Sequence, residues 1–117
     1  MKSYTDIEQS KKLAEILKWK TADMTWVNIY DENHTLSDHR IELIPFRFYQ
    51  GIGLPAWSLA ALLEYMNRNF YNISLNYCGS EYTISFDDGE RFKTITKDYS
   101  IDAAFEMVIW LKENNRI

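Results

Sequence analysis

A chain of 117 residues with 46% hydrophobic and 26% charged positions has the profile of one soluble domain, long enough to bury a core without disulfides or metal. Its 13 Lys and Arg against 17 Asp and Glu give a formal net charge of -4, the wrong sign for a chain whose affinity comes from neutralising phosphates. One cysteine, Cys78, excludes an internal disulfide and suits a reducing cytoplasm, and no apolar run approaches the roughly 20 residues of a membrane span.

Thr5-Asp6-Ile7-Glu8 has the spacing of a capping box, with Thr5 as N-cap, and predicts a helix to Leu17 or Lys18. Leu13, Ile16 and Leu17 give it a narrow apolar stripe. The polar, charged start gives no signal peptide. Met24 to Tyr30 is aromatic and β-branched and predicts a strand, and Asp31 to Arg40 is polar and loop-like. Ile41 to Tyr49 predicts a second strand, which Pro45 confines to an edge or a bulge. Gly51-Ile52-Gly53 is a hinge into the second half.

Pro55 suits the first turn of a helix, where its missing N–H costs nothing, with Leu59, Leu62, Leu63, Met66 and Phe70 as the core stripe. Ile73, Leu75 and Tyr77 alternate with polar residues, as do Tyr82, Ile84 and Phe86, which is the period of half-buried strands. Gly79-Ser80 turns the chain between them, and Asp88-Gly89 predicts a tight hairpin into a third strand over Arg91 to Thr96. Ser100 is the expected cap of the last helix, with Asp102 in its positive first turn. That helix is apolar along two stripes, Ile101, Ala104, Phe105, Val108 and Leu111 beside Ala103, Met107 and Trp110. It is therefore expected to pack on a sheet and on something else, either the first helix or a second subunit.

The order helix, three strands, helix is that of double-stranded-RNA-binding domains. Such domains need a Lys-rich start to the final helix and a loop that reaches a groove. Here the final helix opens Tyr99-Ser100-Ile101-Asp102, an acid in place of a base, and Gly79-Ser80 is too short to reach. The order is then a stable way to cover one sheet face.

Four segments carry a family resemblance: Ser10 to Leu17, Ala22-Asp23-Met24, Leu54-Pro55-Ala56-Trp57-Ser58-Leu59-Ala60-Ala61-Leu62-Leu63-Glu64, and Ile101 to Leu111. Together the chain resembles the small uncharacterised proteins of gut Bacteroidales phages, prophages and conjugative elements. The resemblance covers most of the chain in order, and its most specific piece is Pro55-Ala56-Trp57-Ser58-Leu59. It implies a cytoplasmic accessory protein of a mobile element and carries over no catalytic residue.

Candidate chemistry is sparse. The loop from Asp31 to Arg40 gathers His34 and His39 with Asp31, Glu32 and Asp38, ligand types that suit Zn or Mn, yet the spacing matches no helical i, i+4 pair and a solvated loop is the expectation. Turn chemistry accounts for Asp87-Asp88-Gly89-Glu90. Cys78 has no sequence-adjacent base, so a partly buried structural thiol is expected. Trp57, Ala61 and Tyr65 recur at every fourth position, either as core or as an aromatic ledge, and Met107 and Trp110 pose the same choice.

The expectation is a single α+β domain over 1–117, with a helix-and-strand region at 1–50 and an α-β-β-β-α core at 54–117. An antiparallel sheet of three to five strands is expected with two or three helices. The expected function is that of a non-enzymatic protein-binding accessory factor of a phage or mobile element, an inhibitor or modulator of a host protein such as a defence component. Its candidate contacts are Trp57, Ala61, Tyr65, Met107 and Trp110, toward a protein partner or a second copy, with no cofactor, metal or membrane. The alternative is nucleic-acid binding through Arg40, Arg47, Arg68, Arg91 and Lys93.

Overall fold

The computed structural model describes residues 2–29, 40–45, 54–69 and 72–114. In chain order these form helix α1 (Ile7–Ile16), a 3-10 turn at Trp19–Thr21, strands β1 (Met24–Ile29), β2 (Arg40–Pro45) and β3 (Leu54–Ala56), helix α2 (Leu59–Asn69), strands β4 (Ile73–Cys78), β5 (Glu81–Asp87) and β6 (Phe92–Lys97), and helix α3 (Ser100–Glu113). The α+β class and the α-β-β-β-α order of the second half are as the sequence predicts. The strands divide into two three-stranded antiparallel sheets, ordered β2-β1-β3 and β4-β5-β6.

The second sheet is built by alternation. Its register sets Leu75 beside Ile84 and Ile95, and Ile73 beside Phe86. These side chains share one face, and α2 and α3 pack on it. Ile84 and Phe86 at the centre are fully buried, whereas Ser74, Asn76 and Thr94 on the other face meet solvent. Gly79, with φ of 68°, makes the two-residue link from β4 to β5. The link from β5 to β6 differs from the expected tight turn. It is a four-residue loop, 88–91, because the Asp88 carboxylate accepts from the amides of Glu90 and Arg91 while Asp87 accepts from Gly89.

Helix α3 spends its apolar circumference inside the chain. One side lies on β5 and β6, and the rest on α2 and α1, so the something else is the chain's own helical layer. The expected cap Ser100 is already the first helical residue. Tyr99 occupies the N-cap without a side-chain hydrogen bond. Asp102 sits in the first turn as expected and also anchors the N-terminal segment, taking Lys2 Nζ at 2.7 Å and Gln9 Nε2 at 2.8 Å. Burial works against the Lys2 charge, but Asp102 and Asp6 outweigh it and hold its ammonium above the ordinary value.

The capping box of α1 is displaced by one residue. Asp6 is the N-cap, accepting from Gln9 N at 2.8 Å while Gln9 Oε1 accepts from Asp6 N at 3.1 Å. Partial burial would raise the Asp6 carboxyl, but the Gln9 amide and the Lys2 ammonium hold it below its ordinary value. Thr5 is thereby freed for the interior. Its hydroxyl lies 2.8 Å from Ser10 Oγ and accepts from Trp57 N at 3.0 Å, while Thr5 N donates to Trp57 O at 2.9 Å. Thr5→Val strands the Trp57 amide in a buried site, while the Ser10 hydroxyl keeps its 3.3 Å bond to Thr5 O. It is expected to lower the unfolding free energy by about 2 kcal/mol in urea denaturation.

Pro55 does not start a helix. It lies in edge strand β3 opposite Thr25, where its missing donor costs no ladder bond. The helix starts later because a better cap stands there. Ser58 Oγ accepts from Ala61 N at 3.1 Å, and Asp23 Oδ1 fixes Ser58 N at 2.9 Å. Pro45 stands in β2, the other outer strand of this sheet among the described residues, as its ring predicts. Between the two edges Thr25 is fully buried, and its hydroxyl has no hydrogen-bond partner among the described residues. Thr25→Val, which removes that orphan at equal volume, is expected to raise the unfolding free energy by about 1 kcal/mol in the same assay.

Candidate functional site

The five residues expected to form a protein-binding face separate into three settings. Trp57 and Met107 are fully buried and belong to the core, which corrects the reading of either as exposed ledge. Trp57 precedes α2 rather than riding on its flank, and its indole Nε1 donates to Thr21 Oγ1 at 2.9 Å. Trp110 is half-buried, its ring 5.7 Å from that of Phe86, and faces β6. Ala61 and Tyr65 do come together, one helical turn apart on α2.

They line a hollow of about 450 Å³ between α2 and the 20–23 segment. Ala60, Ala61 and the half-buried Tyr65 give it an apolar wall, and Lys20, Asp23, Glu64 and Arg68 border it as exposed charges. Three hydrogen bonds set its width. The indole of Trp57 holds Thr21, and Asp23 is tied to both the amide and the hydroxyl of Ser58, so the segment is bound to the start of α2 at two points. Small side chains at Ala60 and Ala61 leave the space between.

The electrostatics are those of a neutral wall with a balanced border. Glu64 and Arg68 form an i, i+4 pair at 2.6 Å. Burial pushes the Tyr65 phenol above its ordinary value, so it stays protonated and uncharged at neutral pH. The hollow can receive an apolar side chain and offer hydrogen bonds around it.

The alternative basic face is not assembled among the described residues. Arg68 is engaged by Glu64 at the end of α2, and Arg91 donates to Asn114 at 2.9 Å from a loop that also carries Asp88 and Glu90, next to Asp87 at the end of β5. Lys93 lies on the helix-facing side of β6. The side chains of Arg40 and Arg47 lie outside the described residues, as do His34 and His39 with their loop. No group of three metal-ligating side chains occurs among the described residues. Cys78 is exposed at the end of β4, not partly buried, because alternation turns it to the solvent face. No helix among the described residues is long and apolar enough to cross a membrane.

Sequence reasoning found Ala61 and Tyr65 but missed Ala60, Lys20 and Asp23. The one available signal was Asp23 before a strand and Ser58 before a helix, which becomes a pair only when the chain folds. Compared with protein-family profiles, with curated proteins and with solved structures, the chain finds no match in any of the three.

Proposed function

We propose that the chain is a non-enzymatic protein-binding accessory factor of a phage or mobile element that inhibits or redirects a host protein. The observation that carries the protein-binding part is the hollow on α2: a neutral apolar wall of Ala60, Ala61 and Tyr65 inside a border of charges. That arrangement suits one apolar side chain of a partner, packed in a pocket and sealed by a polar ring, as at the centre of protein–protein interfaces. Phosphate would find an acid at the start of α3 and a basic residue already matched by Glu64. The mobile-element setting follows from the resemblance of the Pro55-Ala56-Trp57-Ser58-Leu59 run and its companion segments.

The test is affinity capture from a nuclease-treated Bacteroidales lysate, followed by mobility shifts with single- and double-stranded DNA and RNA at low salt. One stoichiometric protein partner and no shift is the expected result. A salt-dependent shift without a protein partner would remove this reading.

A further inference from the structure

Strand β6 is the outer strand of its sheet among the described residues, and the direction of its backbone groups can be derived. In an antiparallel pair, opposed residues alternate between exchanging backbone hydrogen bonds and not exchanging them. Asp88 N donates to Arg91 O at 3.2 Å, which marks that pair as bonded. Counting along the register, Lys93, Ile95 and Lys97 bond to β5, whereas Phe92, Thr94 and Thr96 aim their N–H and C=O at the open edge. The hydroxyls of Thr83 and Thr96 confirm the parity. They stand 3.0 Å apart, the close approach expected of a non-bonded pair.

Beside this edge runs a groove of about 350 Å³ between β6 and one face of α3. Glu106, Ile109, Trp110 and Glu113 recur along that face at helical spacing. Lys93 is half-buried in the groove and has no ion pair among the described residues, while Lys97 reaches Glu106 at only 3.8 Å, with both side chains exposed. Phe92, 67% exposed, marks one end of the edge.

We propose that β6 and α3 form a strand-addition site for an extended acidic segment of a partner protein. Its backbone pairs with Phe92, Thr94 and Thr96. On its helix-facing side an apolar residue meets Ile95 and reaches Ile109 and Trp110, and an acid two positions to either side meets Lys93 and Lys97. The pattern acid–x–apolar–x–acid is palindromic, so it fits the edge in either direction. Like charges oppose a second copy in the two registers that overlap the strand most fully. A two-fold pairing centred on Ile95 sets Lys93 against Lys97, and one centred on Thr94 sets Lys97 against Arg91. The inference rests on the reading of the chain as a protein-binding factor but uses a different surface from the α2 hollow.

The probes are two labelled, end-capped peptides with Glu-Thr-Val-Thr-Glu and Lys-Thr-Val-Thr-Lys cores, titrated against the full chain by fluorescence anisotropy. The Glu peptide is expected to bind saturably and the Lys peptide about tenfold or more weakly. Thr94→Pro removes only an outward N–H, so the ladder survives and binding is expected to fall about tenfold or more. Lys93→Glu is expected to reverse the preference between the peptides, and this decides the matter if Thr94→Pro unfolds. Ala60→Arg is expected to leave peptide binding unchanged, so the two surfaces fail or succeed separately. No saturable binding, equal binding of both peptides, or binding indifferent to Thr94→Pro in a folded protein overturns the proposal. So does a wild-type dimer in sedimentation that Thr94→Pro converts to monomer.

Discussion

Trp57→Ala is expected to lower the unfolding free energy by about 4 kcal/mol in urea denaturation, the largest effect of any single substitution considered. The side chain is fully buried, packed into the shared core, and its indole fixes Thr21. Truncation leaves a cavity and removes the indole donor from Thr21, whose hydroxyl keeps its bond to Lys18 O. A domain of this size is stable by roughly 5–15 kcal/mol, so the variant should approach the unfolding threshold at physiological temperature. It should also loosen the 20–23 segment, which lines the hollow on α2. A cost below about 1 kcal/mol would mean that Trp57 does not join these parts as described.

Ala60→Arg is expected to abolish capture of the partner, weakening the complex about 30-fold or more, while leaving the urea midpoint nearly unchanged. Ala60 is exposed on α2 and lines the hollow. Arginine is nearly as good a helix former as alanine, so the fold should tolerate it, yet its long side chain fills the space that we propose receives a partner's apolar group. Surface substitutions of this kind normally move stability by less than about 0.5 kcal/mol, which separates binding loss from unfolding. Surface plasmon resonance on the captured partner, with circular dichroism on the variant, gives both readouts.

The parts of the fold that were legible in the sequence are those set by local period and turn residues. The alternation in Ile73-Ser74-Leu75-Asn76-Tyr77 and in Tyr82 to Phe86 gave two strands, because one side of the sheet is buried and the other is wet. Residues whose role depends on a distant partner were misread. Thr5 and Asp6 each begin a run with a Glu or Gln three residues on, and only Trp57, far along the chain, claims Thr5 for the core. Pro55 fits a helix start and an edge strand equally well until β1 supplies the ladder. Ser100 looked the better cap, but the chain enters α3 one residue earlier, at Tyr99.

The candidate site was legible only as composition. Ala61 and Tyr65 stood out by their spacing, while the opposite wall comes from 20–23, brought near by the Asp23–Ser58 bonds. Trp57 and Met107 shared the same aromatic and Met signature, yet their positions in the packing made them core. Residue type sets what a side chain can bind, and burial decides whether it is offered. The open edge of β6 could not be read from sequence because it depends on sheet order and bonding parity, which are properties of the paired strands.

The most direct test of protein binding through α2 is a photo-crosslinking phenylalanine analogue placed at Tyr65 and irradiated in cells that carry the partner. The account predicts one discrete protein adduct, lost in the Ala60→Arg background. Crosslinks to nucleic acid alone, or a protein adduct that persists with Ala60→Arg, would contradict it.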